Sequence, residues 1–267
     1  MLKDVTLGQY FPGDTAVHKM DPRTKLVLVI VYIVALFLAK GICSYALVAA
    51  CLLAVIGISR IHLKVILKSL KPLLLIIVLT AVLNLFYGQG EPLVQFWIIK
   101  ITKQGIENAV FMVLRIALLV AGTFMLTYTT SPIALTDGLE SLLGPLKKVG
   151  APVHELAMMM CIALRFIPTL IEETDKIMSA QKARGADFES GNLISRAKAL
   201  IPILVPLFIS AFRRADELAT AMECRCYHGG DGRTKLHELR YARRDWIAYA
   251  LGALMLAGVI ALRKFGL

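Results

Sequence analysis

The sequence is short of the motifs that most catalysis needs. It has no G-x-S-x-G, no HExxH and no intramembrane pair of carboxylates, so no activated serine, zinc-protease centre or proton-sharing dyad is expected. It also lacks GxxxxGK[ST], which makes the tract His228-Gly229-Gly230-Asp231-Gly232 a flexible loop rather than a phosphate cradle. Cysteines stand at 43, 51, 161, 224 and 226, without CxxC pairing or the spacing of a disulfide framework, and read as free thiols. Cys224, Cys226 and His228 form C-x-C-x-H, but zinc sites want two to four residues between cysteines and a fourth ligand; His18, His62, His154 and His237 are scattered. No catalytic residue, metal site or cofactor is expected of the chain. Residues 1–22 include Asp4 and Asp14 and no apolar core, so no cleavable signal peptide is expected and the first hydrophobic segment directs insertion.

What is present is apolar and basic. Hydrophobic residues make up 57% of 267 and the mean hydropathy is +0.69, against roughly 45–50% apolar content in an ordinary soluble domain. The expected fold is therefore all-α and polytopic, with about five transmembrane helices and a helical cytoplasmic domain. Thirty basic residues against nineteen acidic give a net charge of +11, which the positive-inside bias explains without nucleic acid.

Apolar runs place spans at 26–39, 42–58, 72–87, about 106–127 and 246–262, with a short apolar piece at 93–99. In the last span Ala248 and Gly252, and Ala253 and Ala257, have the small-xxx-small spacing that lets helices approach closely. Arg60, Lys64, Lys68 and Lys71, spaced mostly by four, predict an amphipathic turn at the membrane surface. With the N-terminus inside, only Lys40, Lys100, Lys103, Arg263 and Lys264 fall outside, and Arg115 lies within the fourth span. Arg115 reads as structural, facing protein or snorkelling. The division is thus 1–130 for the amino-terminal spans, 131–244 for a cytoplasmic or interfacial helical segment, and 245–267 for the last span.

Within the middle segment two helix ends resemble each other. One runs Ala180-Gln181-Lys182-Ala183-Arg184-Gly185, the other Ala221-Met222-Glu223-Cys224-Arg225-Cys226, at an offset that also aligns Asp175 with Asp216. Apolar positions recur at three and four: Leu170, Ile171, Thr174, Ile177, Met178 and Gln181 on one helix, Phe208, Phe212, Ala215, Leu218 and Met222 on the other. Gly185 suits the residue after the helix, where positive φ is needed, which puts Arg184 at the tip. An exposed guanidinium there can fork onto a carboxylate. The alternative is that each arginine only caps its own helix.

The opening Gly8-Gln9-Tyr10-Phe11-Pro12-Gly13-Asp14, then His18 and Asp21-Pro22-Arg23-Thr24-Lys25, resembles the amino end of EcfT, the T component of energy-coupling-factor transporters. So do Arg165-Phe166-Ile167-Pro168, the stretch 180–188, Val205-Pro206-Leu207-Phe208 and Arg213-Arg214-Ala215-Asp216-Glu217-Leu218-Ala219. The resemblance implies a multi-pass protein of a prokaryotic cell membrane, N-terminus cytoplasmic. It implies a complex with two ABC-type ATPase subunits and a substrate-binding S component for vitamin or micronutrient uptake, with ATP hydrolysed by the partners. It assigns ATPase docking to Ala183, Arg184 and Gly185 and to Cys224, Arg225 and Cys226, the two cysteines standing where the family often has Ala and Gly. An intramembrane enzyme would need convergent nucleophile, base or metal ligands, and a secondary transporter built around Arg115 would need repeated spans; neither is found.

The run Leu156 to Leu164 has no charge between Glu155 and Arg165 and, at nine residues with Pro168 beyond it, reads as too short to span. Met158, Met159 and Met160 point around more than half of a helix, which favours a surface role. Unbranched, polarizable methionines suit a platform on which an S component rests.

Overall fold

A computed structural model describes residues 10–86, 92–96, 99–188, 192, 194, 198–230 and 238–265. The expectations for Gly8, Gln9, Asp231, Gly232 and His237 fall outside them. The described helices are α1 (Pro22–Leu38), α2 (Ile42–Ser59), α3 (Leu63–Leu70), α4 (Leu74–Phe86), α5 (Lys103–Thr129), α6 (Pro132–Leu143), α7 (Val153–Ala183), α8 (Ile201–Glu223) and α9 (Arg243–Lys264). The apolar piece after α4 is a short antiparallel hairpin, β1 (Pro92–Phe96) with β2 (Ile99–Thr102). The all-α reading therefore holds for the rest of the described chain. Two compact units form: Gly8–Gly138 with Leu239–Leu267, and Leu139–Glu238.

Five segments are long and apolar enough to cross a membrane: Ile42–Ser59, Leu63–Leu85, Lys103–Thr129, Val153–Ala183 and Arg243–Lys264. The number matches the expectation, but two members differ. At 17 residues, α1 is about 25 Å long, a little under the roughly 30 Å hydrocarbon core. Conversely, the run around Met158–Met160 belongs to a 31-residue helix that continues through Pro168, so shortness does not keep it out of a bilayer. The proline loses one backbone hydrogen bond, and the long helix on either side carries the segment past it.

In the first unit the core is built by α1, α2, α5 and α9, with Tyr32, Leu36, Val48, Tyr128, Met255 and Val259 among its buried residues. Gly122 of α5 is where Tyr32 of α1 lies flat: a Cβ there would come within 2.3 Å of the ring, and the Tyr32 hydroxyl donates to the Leu118 carbonyl at 2.8 Å. On α9 the row Ala248–Gly252 faces inward and continues to Met255 and Val259, with Gly252 taking Leu28, whereas Ala253 and Ala257 are exposed. Only the first of the two small-residue pairs serves packing.

Arg115 is spent inside this unit. Its Nε donates to the Tyr45 hydroxyl at 2.8 Å and its Nη2 to the Ala39 carbonyl at 3.3 Å, so it covers the carboxyl end of the short α1, where helix carbonyls lack intrahelical donors. A guanidinium satisfied in this way is tolerable at membrane depth.

At the other end of α1 the Asp21-Pro22-Arg23-Thr24-Lys25 motif forms a buried polar knot. Asp21 caps α1 by accepting from the Arg23 amide at 2.9 Å, and the Arg23 guanidinium returns to the same carboxylate and to the Leu239 carbonyl. Burial pushes the Asp21 carboxyl up, but the Arg23 hydrogen bonds and charge outweigh it and hold the group below the usual carboxylate range. Lys25 Nζ donates to the Thr129 carbonyl at 2.8 Å and to Thr130 Oγ1, covering the carboxyl end of α5. Asp245, buried at the start of α9, accepts from the Asp21 and Ala242 amides at 2.9 and 2.8 Å. One knot thus joins the ends of α1, α5 and α9.

Candidate docking helices

The second unit carries the residues expected to dock a partner. Its α7 and α8 run antiparallel: Gln181 near the end of α7 reaches the Pro202 carbonyl at the start of α8, and earlier on α7 Glu173 meets Arg214 at 2.8 Å. Ser210 donates to the same carboxylate, and the Arg214 guanidinium lies over the Phe166 ring, 5.9 Å from its centroid. The expected α7 face, Leu170 to Gln181, is the one partly covered. On α8 the outcome differs. Ile203, Leu207, Ser210, Arg214, Leu218 and Met222 turn inward, and Phe208 and Phe212, expected on the greasy face, are 60% and 73% exposed. The first half of α8 is apolar nearly all round, so the Glu173 partners Ser210 and Arg214 decide which side packs.

Both helix ends close by the same hydrogen-bond scheme. After α7 the Gly185 amide donates to Lys182 O at 3.0 Å and the Ala186 amide to Gln181 O at 3.0 Å, with Gly185 at φ +87°. These paired bonds define a Schellman ending with Arg184 as its cap residue. After α8 the Cys226 amide donates to Glu223 O at 2.8 Å and the Tyr227 amide to Met222 O at 3.1 Å, with Cys226 at φ +56°. Arg225 holds the position of Arg184, and Cys226 takes the glycine's part against the Cβ penalty of a left-handed conformation, about 1–2 kcal/mol.

Arg184, Gly185, Cys224, Arg225 and Cys226 are all exposed, as is Ala183. Among the described residues neither arginine side chain forms an ion pair or hydrogen bond. Because α7 and α8 are antiparallel, the two tips sit at opposite ends of the pair, separated by roughly the 35 Å length of α8. The α8 end is braced: His154, in the first turn of α7, contacts Glu140 at 3.0 Å through Nδ1 and the Tyr227 hydroxyl at 3.4 Å through Nε2. Gly230 lies so close to that imidazole that a Cβ would meet it at 2.4 Å. Nothing local in the sequence marks this brace, because its members are isolated polar residues on separate elements. Met159 and Met160 are 54% and 43% exposed and Met158 is half-buried.

The sequence profile of the cobalt transport protein family, CbiQ, matches residues 13–236. A protein of Clostridium kluyveri is 54% identical over 266 residues, 99% of this chain and 98% of its own. The chain belongs to the EcfT/CbiQ family. That relative, one from Thermosediminibacter oceani at 53% identity over 98% and 99% of the two chains, and one from Bacillus subtilis at 47% over 92% and 93%, are each named energy-coupling factor transporter transmembrane protein EcfT. Family matches run through both arginine-tipped helices and the polar knot at Asp21–Lys25.

Proposed function

We propose that the chain is the transmembrane coupling subunit of an energy-coupling-factor importer. In this reading it passes the ATP-driven motion of two ATPase subunits to an S component that carries a vitamin or micronutrient, and hydrolyses nothing itself. The observation that carries the reading is the pair of identically closed helix ends, each presenting an uncommitted arginine, at opposite ends of one antiparallel pair. Two tips about a helix length apart suit two ATPases, one tip to each, with a carboxylate groove to receive a forked guanidinium. Residues 1–130 and 245–267 form the membrane part, N-terminus cytoplasmic. Residues 131–244 form the coupling part, in which α7 enters the membrane boundary with its methionine-bearing half. The exposed Met159, Met160, Phe208 and Phe212 supply the uncovered apolar surface that an S component needs.

The test is co-purification and uptake with Arg184→Ala, Arg225→Ala and the double variant. A charge-assisted contact contributes roughly 1.5–3 kcal/mol, so each single change weakens capture of the ATPases by at least tenfold. The double change uncouples transport while membrane insertion is unaffected. Normal transport by a double variant that still holds both ATPases would refute the docking role.

A further inference from the structure

The amino-terminal loop and the turn after α2 flank an open cavity of about 650 Å³. Phe11–Ala16 and His18 form one wall and Ile58–His62 with Val65 the other. Several of its polar groups are already engaged. Asp14 pairs with Lys19 at 3.1 Å, Ser59 Oγ donates to the Ile56 carbonyl, and Thr15 Oγ1 meets His18 Nδ1 at 2.7 Å. His18 Nε2 is shut off from solvent and has no partner among the described residues. Burial and the neighbouring Lys25 ammonium push this imidazole below its ordinary pKa. Arg60, held in the left-handed region at φ +57°, stands exposed at the edge with His62, which makes no side-chain cap to α3. The Arg60 guanidinium at this edge, outside every ion pair among the described residues, suits an anion.

The surface outside continues that character. Lys64, Lys68 and Lys71 are exposed, and among the described residues none of them, nor Arg60, is in an ion pair. The platform is fixed, because Ile66 is buried in the core and Ser69 hydrogen-bonds the Tyr128 hydroxyl. Beside the lysines Leu63 and Leu67 are 53% and 65% exposed, and Ile58 at the cavity wall 56%. The segment Leu63–Leu85 is itself long and apolar enough to enter a membrane. Cations next to uncovered leucines on a short helix are the pattern of an element lying at a lipid interface.

From this geometry we infer that the cavity holds the phosphate of an anionic phospholipid, with Arg60 and His62 on the phosphate and the acyl chains running over Ile58, Leu63 and Leu67. A guanidinium forks onto phosphate oxygens, while a free phosphate would leave the apolar surface uncovered. Basic residues near a membrane surface each strengthen attraction to anionic lipid. The site is independent of the docking helices.

The experiment extracts the full chain from vesicles of equal phosphatidylglycerol and phosphatidylcholine and counts retained lipid by native mass spectrometry. Wild type keeps one phosphatidylglycerol, which soluble glycerol phosphate does not displace. Arg60→Ala loses about fivefold in occupancy, Arg60→Lys retains most of it, and Lys264→Ala, at the far end of α9, changes nothing. Lys64→Ala repeats the test without touching the left-handed turn at Arg60. Equal retention of the two lipids, unchanged occupancy in both alanine variants at 60 and 64, or displacement by glycerol phosphate would each overturn the lipid assignment.

Discussion

The two units use the same residue types for opposite ends. In the first, one set of charged groups at the helix ends is turned inward and matched: Asp21, Lys25 and Asp245 are each under 8% exposed, and Arg115 is tied to Tyr45 and Ala39. In the second, only Val153, Ala157 and Ile203 among its described residues are buried, and Phe208, Phe212, Arg184 and Arg225 are turned outward. Burial there is too small for self-sufficiency, since a compact domain of similar length hides most of its apolar surface. Apolar helix surface is left uncovered in both units, by Leu74, Leu75 and Leu79 in the first and by Phe208 and Phe212 in the second, and among the described residues the buried charge network belongs to the first.

That contrast predicts a ranking of mutational effects. The largest is Asp245→Ala, which leaves the Asp21 and Ala242 amides unmatched and removes a buried charge beside Lys25. Removing one partner from a buried charge network costs about 3–5 kcal/mol, read as a lower thermal midpoint of the chain in detergent; an unchanged midpoint would erase the distinction between the units. Next is Gly122→Ala, whose Cβ would overlap the Tyr32 ring. It costs roughly 1–3 kcal/mol by overpacking, and Tyr32→Leu in the same chain recovers part of it.

In the second unit, Met159→Asp and Met160→Asp leave the stability of the chain within about 0.5 kcal/mol of wild type, as surface changes do, yet release the S component while the ATPases stay bound. The Leu variants keep it. Loss of the whole complex would mark these methionines as core. The smallest effect is stabilising: Cys226→Gly removes the left-handed strain and gains about 1 kcal/mol with docking at Arg225 intact. A destabilised glycine variant would show that the cysteine side chain makes a contact of its own.

Much of the fold was legible because apolar length and helix punctuation act locally. The runs that became α2, α5 and α9 needed no tertiary information, and Gly185 announced the end of α7 through its freedom at positive φ. What was not legible came from long-range matching. The stretch at Met158 looked too short for a span because charges from Arg165 onward and Pro168 suggested an end, whereas the helix runs on to Ala183. Nothing local marks Asp245, because its role rests on Asp21, 224 residues away. Phe208 and Phe212 fitted a buried stripe by period, but periodicity cannot choose between two apolar sides of one helix. That choice was made by Glu173. The Arg184 and Arg225 tips were visible as a repeat, and the equivalence of their backbones, with a cysteine in the glycine's place, is legible only in hydrogen bonds.

The Schellman endings have a mechanical consequence. A helix whose last turn frays is a soft spring: a load applied at its tip is absorbed by opening hydrogen bonds near the end, each weak when water can replace it. At Arg184 and Arg225 the terminal carbonyls are already tied back by the two following amides, and at Arg225 the turn is further clamped through Tyr227 and His154. Compliance is thereby moved away from the tips and into the crossing near Glu173 and Arg214, where the helices touch. The ion pair at that crossing is solvent-accessible, so its stiffness varies with salt.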